Sequence, residues 1–395
     1  MILGIVEGFY GRPWGVLDRI SMVEFIGGLG LDVYIYGPKE DPHHRERWRT
    51  PYPDLSDFAL LAEAAWRRGV DLFFALSPGL DVDYSSRADV DAAVRKLTPM
   101  AELGYEPALF FDDIPPIIRG AGFKSLAQAQ SQFVNRVLDE LGANRLIFCP
   151  TYYWGFREDY LREIGESLDG KVLVMWTGPH IVSPRIKADD VDRAAELLGR
   201  RPVIWDNYPV NDYFLSRGVY RLHMGPFKGR EKKAVEKSAG YVLNPMPQSE
   251  ASKIAVYTFA EFLKGNYNEE AATAEASERL AGAAAEAFLY FVRLNSASPL
   301  DPDADYVPTR EDAGSLKRVV EELRRLKNRK LLAEISPVLD FLESLASALP
   351  KPNPSYPSLS PGNVQAAGHY EPPLSDVEMA DFFGEMIRRR PWWLS

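Results

Sequence analysis

The sequence of 395 residues contains one cysteine, five histidines, no surplus of basic residues and no apolar run of about 20 residues. The lone Cys149 excludes an intrachain disulfide and a cysteine-based zinc cluster, and is compatible with a reducing compartment. Without a long apolar run, no membrane-spanning helix is expected. A formal net charge of -10 speaks against an electrostatic nucleic-acid binder. The opening MILGIVEGFYG has neither a basic leader nor a long apolar segment, so no secretory signal is expected and a cytoplasmic location is the expectation. The first apolar run leads into GFYGRPWG, which lacks the Gly-x-Gly-x-x-Gly spacing of a dinucleotide-binding sheet. No internal repeat is visible beyond an alternation of strand and helix patterns.

What is present is globular: 46% hydrophobic and 26% charged residues, enough for a substantial core. Eight short apolar runs stand at 2–8, 31–37, 70–78, 107–113, 145–151, 171–178, 202–208 and 240–245. Their apolarity is continuous rather than alternating, which predicts strands buried on both faces, as in a parallel sheet. Helical patterns separate them, as at 54–69, 87–104 and 125–142, where apolar residues recur at three- and four-residue spacings and a Gly follows. Eight such alternations over roughly 250 residues predict an α/β fold, a (β/α)8 TIM barrel over residues 1–267. From 268 to 395 the pattern is an α-helical C-terminal domain with helices at 269–294, 311–330 and 331–349, the last kinked or split by its Pro. A Pro-rich loop near 350–374 and a last helix at 376–390 complete it.

In a barrel, chemistry comes from the C-terminal ends of the strands. Those ends carry Glu7, Lys39, Asp81, Asp112, Asp113, Asp206, Asn207, Asp212 and Asn244 among Tyr10, Tyr153, Trp176 and Trp205. Aromatic faces beside carboxylates and amides suit a sugar. Each residue alone has a plainer reading: a strand-end Asp as a helix cap, Trp205 as packing, Asn207 and Asn244 as turn residues. The adjacent His43 and His44 sit in a charged loop and read as surface or loop packing rather than a metal site. The run Arg45-Glu46-Arg47 reads as a solvated face.

The stretch PALFFDDIPP resists the plain reading. Asp112 and Asp113 end an apolar run and are followed by Ile-Pro-Pro, where proline disfavours a helix start. Two neighbouring carboxyls do not ionise together, so one stays protonated at higher pH while the other stays charged. Ordinary glycosidases place two such groups on opposite sides of the scissile bond, about 5 Å apart or more. Sequence neighbours at one strand end fit that poorly. They fit a substrate that brings its own nucleophile, such as a 2-acetamido group attacking the anomeric carbon to give an oxazoline.

The segments GIVEGFYGRPWG, YIYGPKEDPHHRERWR, FFALSPGLD, LFFDDIP, FCPTYYWG, VMWTGP, VIWDNYPVNDY and VLNP resemble, in order, the motifs of family 84 glycoside hydrolases. These are the O-GlcNAcases and their bacterial β-N-acetylglucosaminidase relatives. The resemblance covers about residues 1–265; the helical tail matches by position and helicity alone. It implies a retaining exo-β-N-acetylglucosaminidase acting by substrate-assisted catalysis on β-linked N-acetylglucosaminides, able to remove O-GlcNAc from Ser/Thr of peptides or proteins. It implies that Asp112 orients the acetamido group and that Asp113 is the acid and then the base. Tyr153 is implied beside the forming oxazoline, with Trp205, Cys149 and Thr177 shaping the acetamido pocket. Gly8, Lys39, Asn207, Asp212 and Asn244 are implied to hold the hydroxyls, with Tyr10 lining the site. No metal and no cofactor are implied. Tyr152 and Trp154 make the context of Tyr153 more aromatic than the resemblance leads one to expect, which bears on aglycone preference. Two alternatives stand beside this reading: a non-catalytic GlcNAc-binding barrel, and a metal-dependent hydrolase recruiting Asp81 and Asp212 beside the Asp pair. The oligomeric state and the natural aglycone are left open by the sequence.

Overall fold

The computed structural model describes residues 1–215, 218, 220–298, 300 and 313–348. Eight strands form where the apolar runs stand: β1 (Ile2–Glu7), β2 (Val33–Tyr36), β3 (Asp71–Leu76), β4 (Tyr105–Phe110), β5 (Leu146–Cys149), β6 (Val172–Trp176), β7 (Val203–Asp206) and β8 (Gly240–Leu243). All neighbours pair in parallel, and β8 returns to β1 with Ile2 opposite Gly240, closing a barrel. Strands such as β2 and β5 are buried at every residue, because one face fills the barrel and the other meets helices.

Between the strands lie α1 (Val16–Gly28), α2 (Ser56–Arg68), α3 (Arg87–Glu102), α4 (Leu126–Leu141), α5 (Glu158–Ser167), α6 (Ala188–Leu198), the single turn α7 (Asp212–Leu215) and α8 (Lys232–Lys237). Helix α4 shows how local chemistry sets their limits. Ser125, in extended conformation, accepts the Gln128 N–H on its hydroxyl and starts the helix. Phe133, Val134, Val137 and Leu138 form its buried stripe, and Gly142 ends it in the left-handed region.

By compactness the described chain forms two units. The first comprises 1–212 and 230–247, with the whole sheet, α1 to α6 and α8. The second comprises 213–229 and the described residues from 248 onward, with α9 (Ser249–Lys264), α10 (Glu269–Ala281), α11 (Ala285–Leu294), α12 (Ala313–Leu323) and α13 (Arg329–Ala348). A boundary at 267/268 follows from where the strand pattern fades. Compactness places α9 with the later helices, since it packs on α10 and α13.

One helical expectation is corrected and a second is narrowed. The single helix expected over 269–294 is two, because Gly282 adopts φ 55 and breaks the ladder. The helix carrying Pro337 is not split there but runs from Arg329 to Ala348. Pro337 and Ala333, whose carbonyl loses its partner, both lie on the exposed side, where water can serve that carbonyl. The Pro-rich stretch at 351–373 and the helix expected at 376–390 lie outside the described residues. Among the described residues no helix is long and apolar enough to cross a membrane.

Candidate active site

Strand β4 ends at Phe110, and its pairing extends one residue further, with the Phe111 N–H donating to the Cys149 carbonyl at 2.8 Å. A continued strand would send Asp112 and Asp113 to opposite faces. Asp113 instead takes φ 50, a left-handed conformation that costs a non-glycine residue of order 1 kcal/mol or more and persists only where its surroundings hold it. The Ile-Pro-Pro break expected from sequence is this turn. Both carboxyls are thereby turned toward one set of side chains at the C-terminal ends of the strands.

Asp112 is 4% exposed. Its Oδ2 forms an ion pair with Lys39 Nζ, delivered by the loop after β2. Its Oδ1 is buried and has no hydrogen-bond partner in the structure. Lys39 is buried too, with Nζ 5.3 Å from the ring centres of both Phe110 and Trp205. Its charge is thus directed at Asp112 and screened little by solvent.

Asp113 is saturated differently. The Tyr153 hydroxyl donates to Oδ1 at 2.6 Å and the Tyr10 hydroxyl to Oδ2 at 3.0 Å. Burial, reinforced by the charge of Asp112, raises its pKa above the usual carboxylate range, while Lys39, Tyr153 and Arg45 pull it back. The pair therefore combines a carboxylate locked to a lysine with a neighbour that holds its proton more tightly. Burial, then the charge of Asp112, also raises the Cys149 thiol.

The remaining expected residues form a connected lining. Trp205 is 4% exposed, packs at 5.0 Å on Phe110, and donates through Nε1 to Asn207 Oδ1 at 3.0 Å. Asn244 Nδ2 donates to the same oxygen at 2.9 Å, and the Gly8 N–H donates to Asn244 Oδ1 at 3.2 Å. The free ends of β1, β7 and β8 are tied by these amides. Gly8 is required here, since a Cβ would stand 2.2 Å from Trp205 Cζ2. Asp212 Oδ2 accepts the Tyr10 N–H at 2.8 Å. Thr177 is connected through its backbone, donating its N–H to the Tyr153 carbonyl at 2.8 Å, while its hydroxyl serves the His180 carbonyl. Tyr152 sits edge-on to Tyr160 at 5.0 Å and under Arg157, so it packs toward α5.

Other strand-end carboxylates are structural. Glu7 holds Arg19 through two bonds and also accepts from the Tyr34 hydroxyl and the Trp14 N–H. Asp206 holds Arg230 through two bonds of 2.7 Å and the Tyr241 hydroxyl at 2.5 Å. Asp81 is engaged by Trp48 and Arg49. Among the described residues, no group of three or more His, Cys, Asp and Glu side chains is placed to hold a metal ion. His44 is loop packing, as expected. Its Nδ1 meets the Ala75 carbonyl at 2.7 Å, and burial, with Lys39 nearby, pushes its pKa down to about 4.

Arg45 corrects the sequence reading. Glu46 and Arg47 are exposed, but Arg45 is 5% exposed and turned inward. Its guanidinium donates to the Tyr10 hydroxyl at 3.0 Å and to the Asp113 carbonyl at 2.5 Å. A charge run hides such a residue; the one cue is Trp48, three residues on and fully buried, which marks that side of the loop as inward. Beside it, burial pushes half-buried Glu40 up to about 7, against the pull of Arg45.

A family model described as β-N-acetylglucosaminidase matches residues 3–293. The chain is 36% identical over 281 residues to the Protein O-GlcNAcase of Rattus norvegicus and to that of Mus musculus. Those alignments take in 68% of this chain and 30% of each relative, so the chain spans less than a third of their length. Among solved structures, a mutant of a Thermobaculum terrenum O-GlcNAc hydrolase superposes with a TM-score of 0.82 at 33% identity, covering 88% of this chain and 82% of that one. The matched span takes in seven strands whole and β1 from its second residue, with the Asp112–Asp113 pair and every residue of the lining around it; with this barrel and this site, the chain belongs to the β-N-acetylglucosaminidase family.

Proposed function

We propose that the chain is a retaining exo-β-N-acetylglucosaminidase acting by substrate-assisted catalysis on β-linked N-acetylglucosaminides, including O-GlcNAc on Ser/Thr of peptides and proteins. The observation that carries this reading is the buried, unpartnered Oδ1 of Asp112 beside the proton-retaining Asp113. A buried carboxylate oxygen with no partner calls for a donor, and the 2-acetamido N–H is one. Lys39 pairs with Asp112 and fixes its rotamer. With its N–H so held, the acetamido oxygen is polarised toward the anomeric carbon. It attacks from the face opposite the leaving oxygen, to which Asp113 gives its proton. The glycosidic bond breaks with inversion and the oxazoline forms as its N-protonated cation, the N–H still held by Asp112. Asp113, now ionised, takes a proton from water, which opens the oxazoline with a second inversion, so configuration is retained.

The lining supports the same assignment. Trp205, Cys149 and Thr177 surround the acetamido methyl, with Tyr153 at the forming oxazoline. Gly8, Tyr10, Lys39, Asn207, Asp212 and Asn244 line the sugar and hold its hydroxyls. Residues 1–267 are the catalytic part in this reading. The names of the relatives support O-GlcNAc as substrate.

The test compares Asp112→Asn and Asp113→Asn on aryl β-GlcNAc substrates with good and poor leaving groups. Loss of the acid should hurt poor leaving groups far more, whereas Asp112→Asn should lose on both alike. Equal leaving-group sensitivity in the two variants refutes the division of roles. Inhibition by a thiazoline that mimics the oxazoline tests neighbouring-group participation independently.

A further inference from the structure

The bonds around Asp113 form a closed circuit that includes a residue outside the expected site. The Arg45 fork donates from one nitrogen to the Asp113 carbonyl at 2.5 Å and from the other to Tyr10 Oη at 3.0 Å. Tyr10 Oη in turn donates to Asp113 Oδ2 at 3.0 Å. One guanidinium thus contacts both the backbone of the acid residue and the hydroxyl that serves its side chain.

Two physical consequences follow. A phenol has one proton to give. Because Arg45 donates to the Tyr10 oxygen, that proton is left directed at Asp113 Oδ2. In addition, the bond to the Asp113 carbonyl fixes the peptide of a residue whose φ of 50 needs external support. Arg45 is buried, and both of these bonds serve Asp113, directly or through Tyr10. An ammonium could make one of the two bonds, but only a planar fork makes both at fixed separation.

We infer that Arg45 is a positioning residue for Asp113: it holds the left-handed turn that aims the carboxyl and orients Tyr10 as a donor to Oδ2. The inference rests on the glycosidase reading, in which Asp113 is the acid and base. Two of the carboxyl's four lone-pair sites are taken by Tyr10 and Tyr153, which leaves defined positions for the transferred proton. Arg45 also brings a positive charge to Asp113, alongside Lys39 and opposed by Asp112, with Glu40 facing Arg45 itself.

The test uses the whole chain with Arg45→Met, Arg45→Lys, Tyr10→Phe and the double variant Tyr10→Phe/Arg45→Met. Each is assayed on aryl β-GlcNAc substrates of graded leaving-group acidity, with pH profiles of kcat/KM and thermal melting as the fold check. Arg45→Met should lose about 100-fold on poor leaving groups and only a few-fold on activated ones. Its alkaline limb should move to higher pH, because a cation near Asp113 is gone. Arg45→Lys, which keeps the charge without the fork, should keep the limb in place and still lose on poor leaving groups. The double variant should lose less than the product of the single losses, because the two residues act through one contact. Should Arg45→Met fail to fold, the leaving-group behaviour of Arg45→Lys decides the matter: a loss larger on poor leaving groups supports the inference, and equal losses overturn it. Losses equal across leaving groups with an unmoved limb, or fully multiplicative losses in the double variant, overturn the inference. A wild-type chain inert on every β-GlcNAc substrate overturns the glycosidase reading and this inference together; an active wild type with those Arg45 results overturns the inference alone.

Discussion

Lys39 Nζ takes one carboxylate oxygen of Asp112 and leaves the other buried and unpartnered. This asymmetry makes a prediction distinct from that of the acid. Lys39→Met removes the counter-charge from a carboxylate that is 4% exposed and leaves it without its ion-pair partner. Loss of a buried ion-pair partner is severe. We expect kcat/KM to fall at least about 100-fold, a loss in the range of one removed electrostatic group. The fall should be equal on good and poor leaving groups, because the nucleophilic amide is affected rather than proton donation. A loss confined to poor leaving groups would place Lys39 on the wrong carboxyl.

Tyr153→Phe removes a 2.6 Å hydrogen bond to Asp113 Oδ1. That bond favours the ionised form and lowers the pKa of Asp113, against burial and Asp112, which raise it. Without the bond the pKa rises further, the proton is held to higher pH, and the alkaline limb of the rate profile moves up. The rate at the optimum should fall, since the same hydroxyl fixes the carboxyl. Profiles of kcat/KM between pH 5 and 10 check this, and a limb that moves down would show that Tyr153 acts on some other group.

Gly8→Ala places a methyl where Trp205 Cζ2 stands, at 2.2 Å from the new Cβ. Trp205 cannot yield freely, because it packs on Phe110 and bonds Asn207. Overpacking of this kind costs about 1–3 kcal/mol. The expected result is a KM raised at least about tenfold, with a lower melting temperature in proportion. Unchanged KM would mean that Trp205 does not line the sugar site.

Much of this was legible in the sequence. Continuous apolar runs marked all eight strands, because a parallel barrel buries both faces of each. Asp112 and Asp113 stood out because Ile-Pro-Pro spoiled the capping explanation. Three things were not legible. The burial of Arg45 is set by tertiary contacts with Tyr10 and Asp113, some 35 and 68 positions away, while its neighbours Glu46 and Arg47 are exposed as charge suggests. The break at Gly282 is decided by one positive φ inside an Ala-rich pattern that reads as uninterrupted helix. The roles of Glu7 and Asp206 resemble those of catalytic carboxylates until Arg19 and Arg230 are seen to hold them.

Arg230 and Asp206 are both fully buried and joined by two bonds of 2.7 Å. Arg230→Met would leave a buried carboxylate beside Tyr241, with a loss of about 3–5 kcal/mol. Arg230→Met combined with Asp206→Asn should recover part of that loss, because no unpaired charge remains. Urea unfolding measures both. A single variant within about 0.5 kcal/mol of wild type would contradict the structural assignment of Asp206.

Glu334 offers a pH test in the second compact unit. It lies on α13 and accepts the Ala251 N–H at 2.9 Å and the Ser249 hydroxyl at 3.2 Å, so it caps the first turn of α9. Burial pushes its pKa from 4.5 to about 7, against these bonds and Lys330, and Glu250 adds to the rise. The folded pKa therefore lies above the unfolded one. Between the two, the folded chain keeps a proton that the unfolded chain has released, so stability falls as pH rises. The contribution is fully present below about pH 4.5 and lost by about pH 7, a span worth about 3 kcal/mol. Glu334→Gln keeps a carbonyl oxygen for the Ala251 N–H and an amide for Ser249 but cannot ionise. Its stability should therefore decline less than that of wild type between pH 5 and 8, and it should be the more stable of the two at pH 8. Parallel stability curves for the two proteins, from urea midpoints across that range, would show that Glu334 is ionised in the fold throughout and that its cap on α9 is independent of pH.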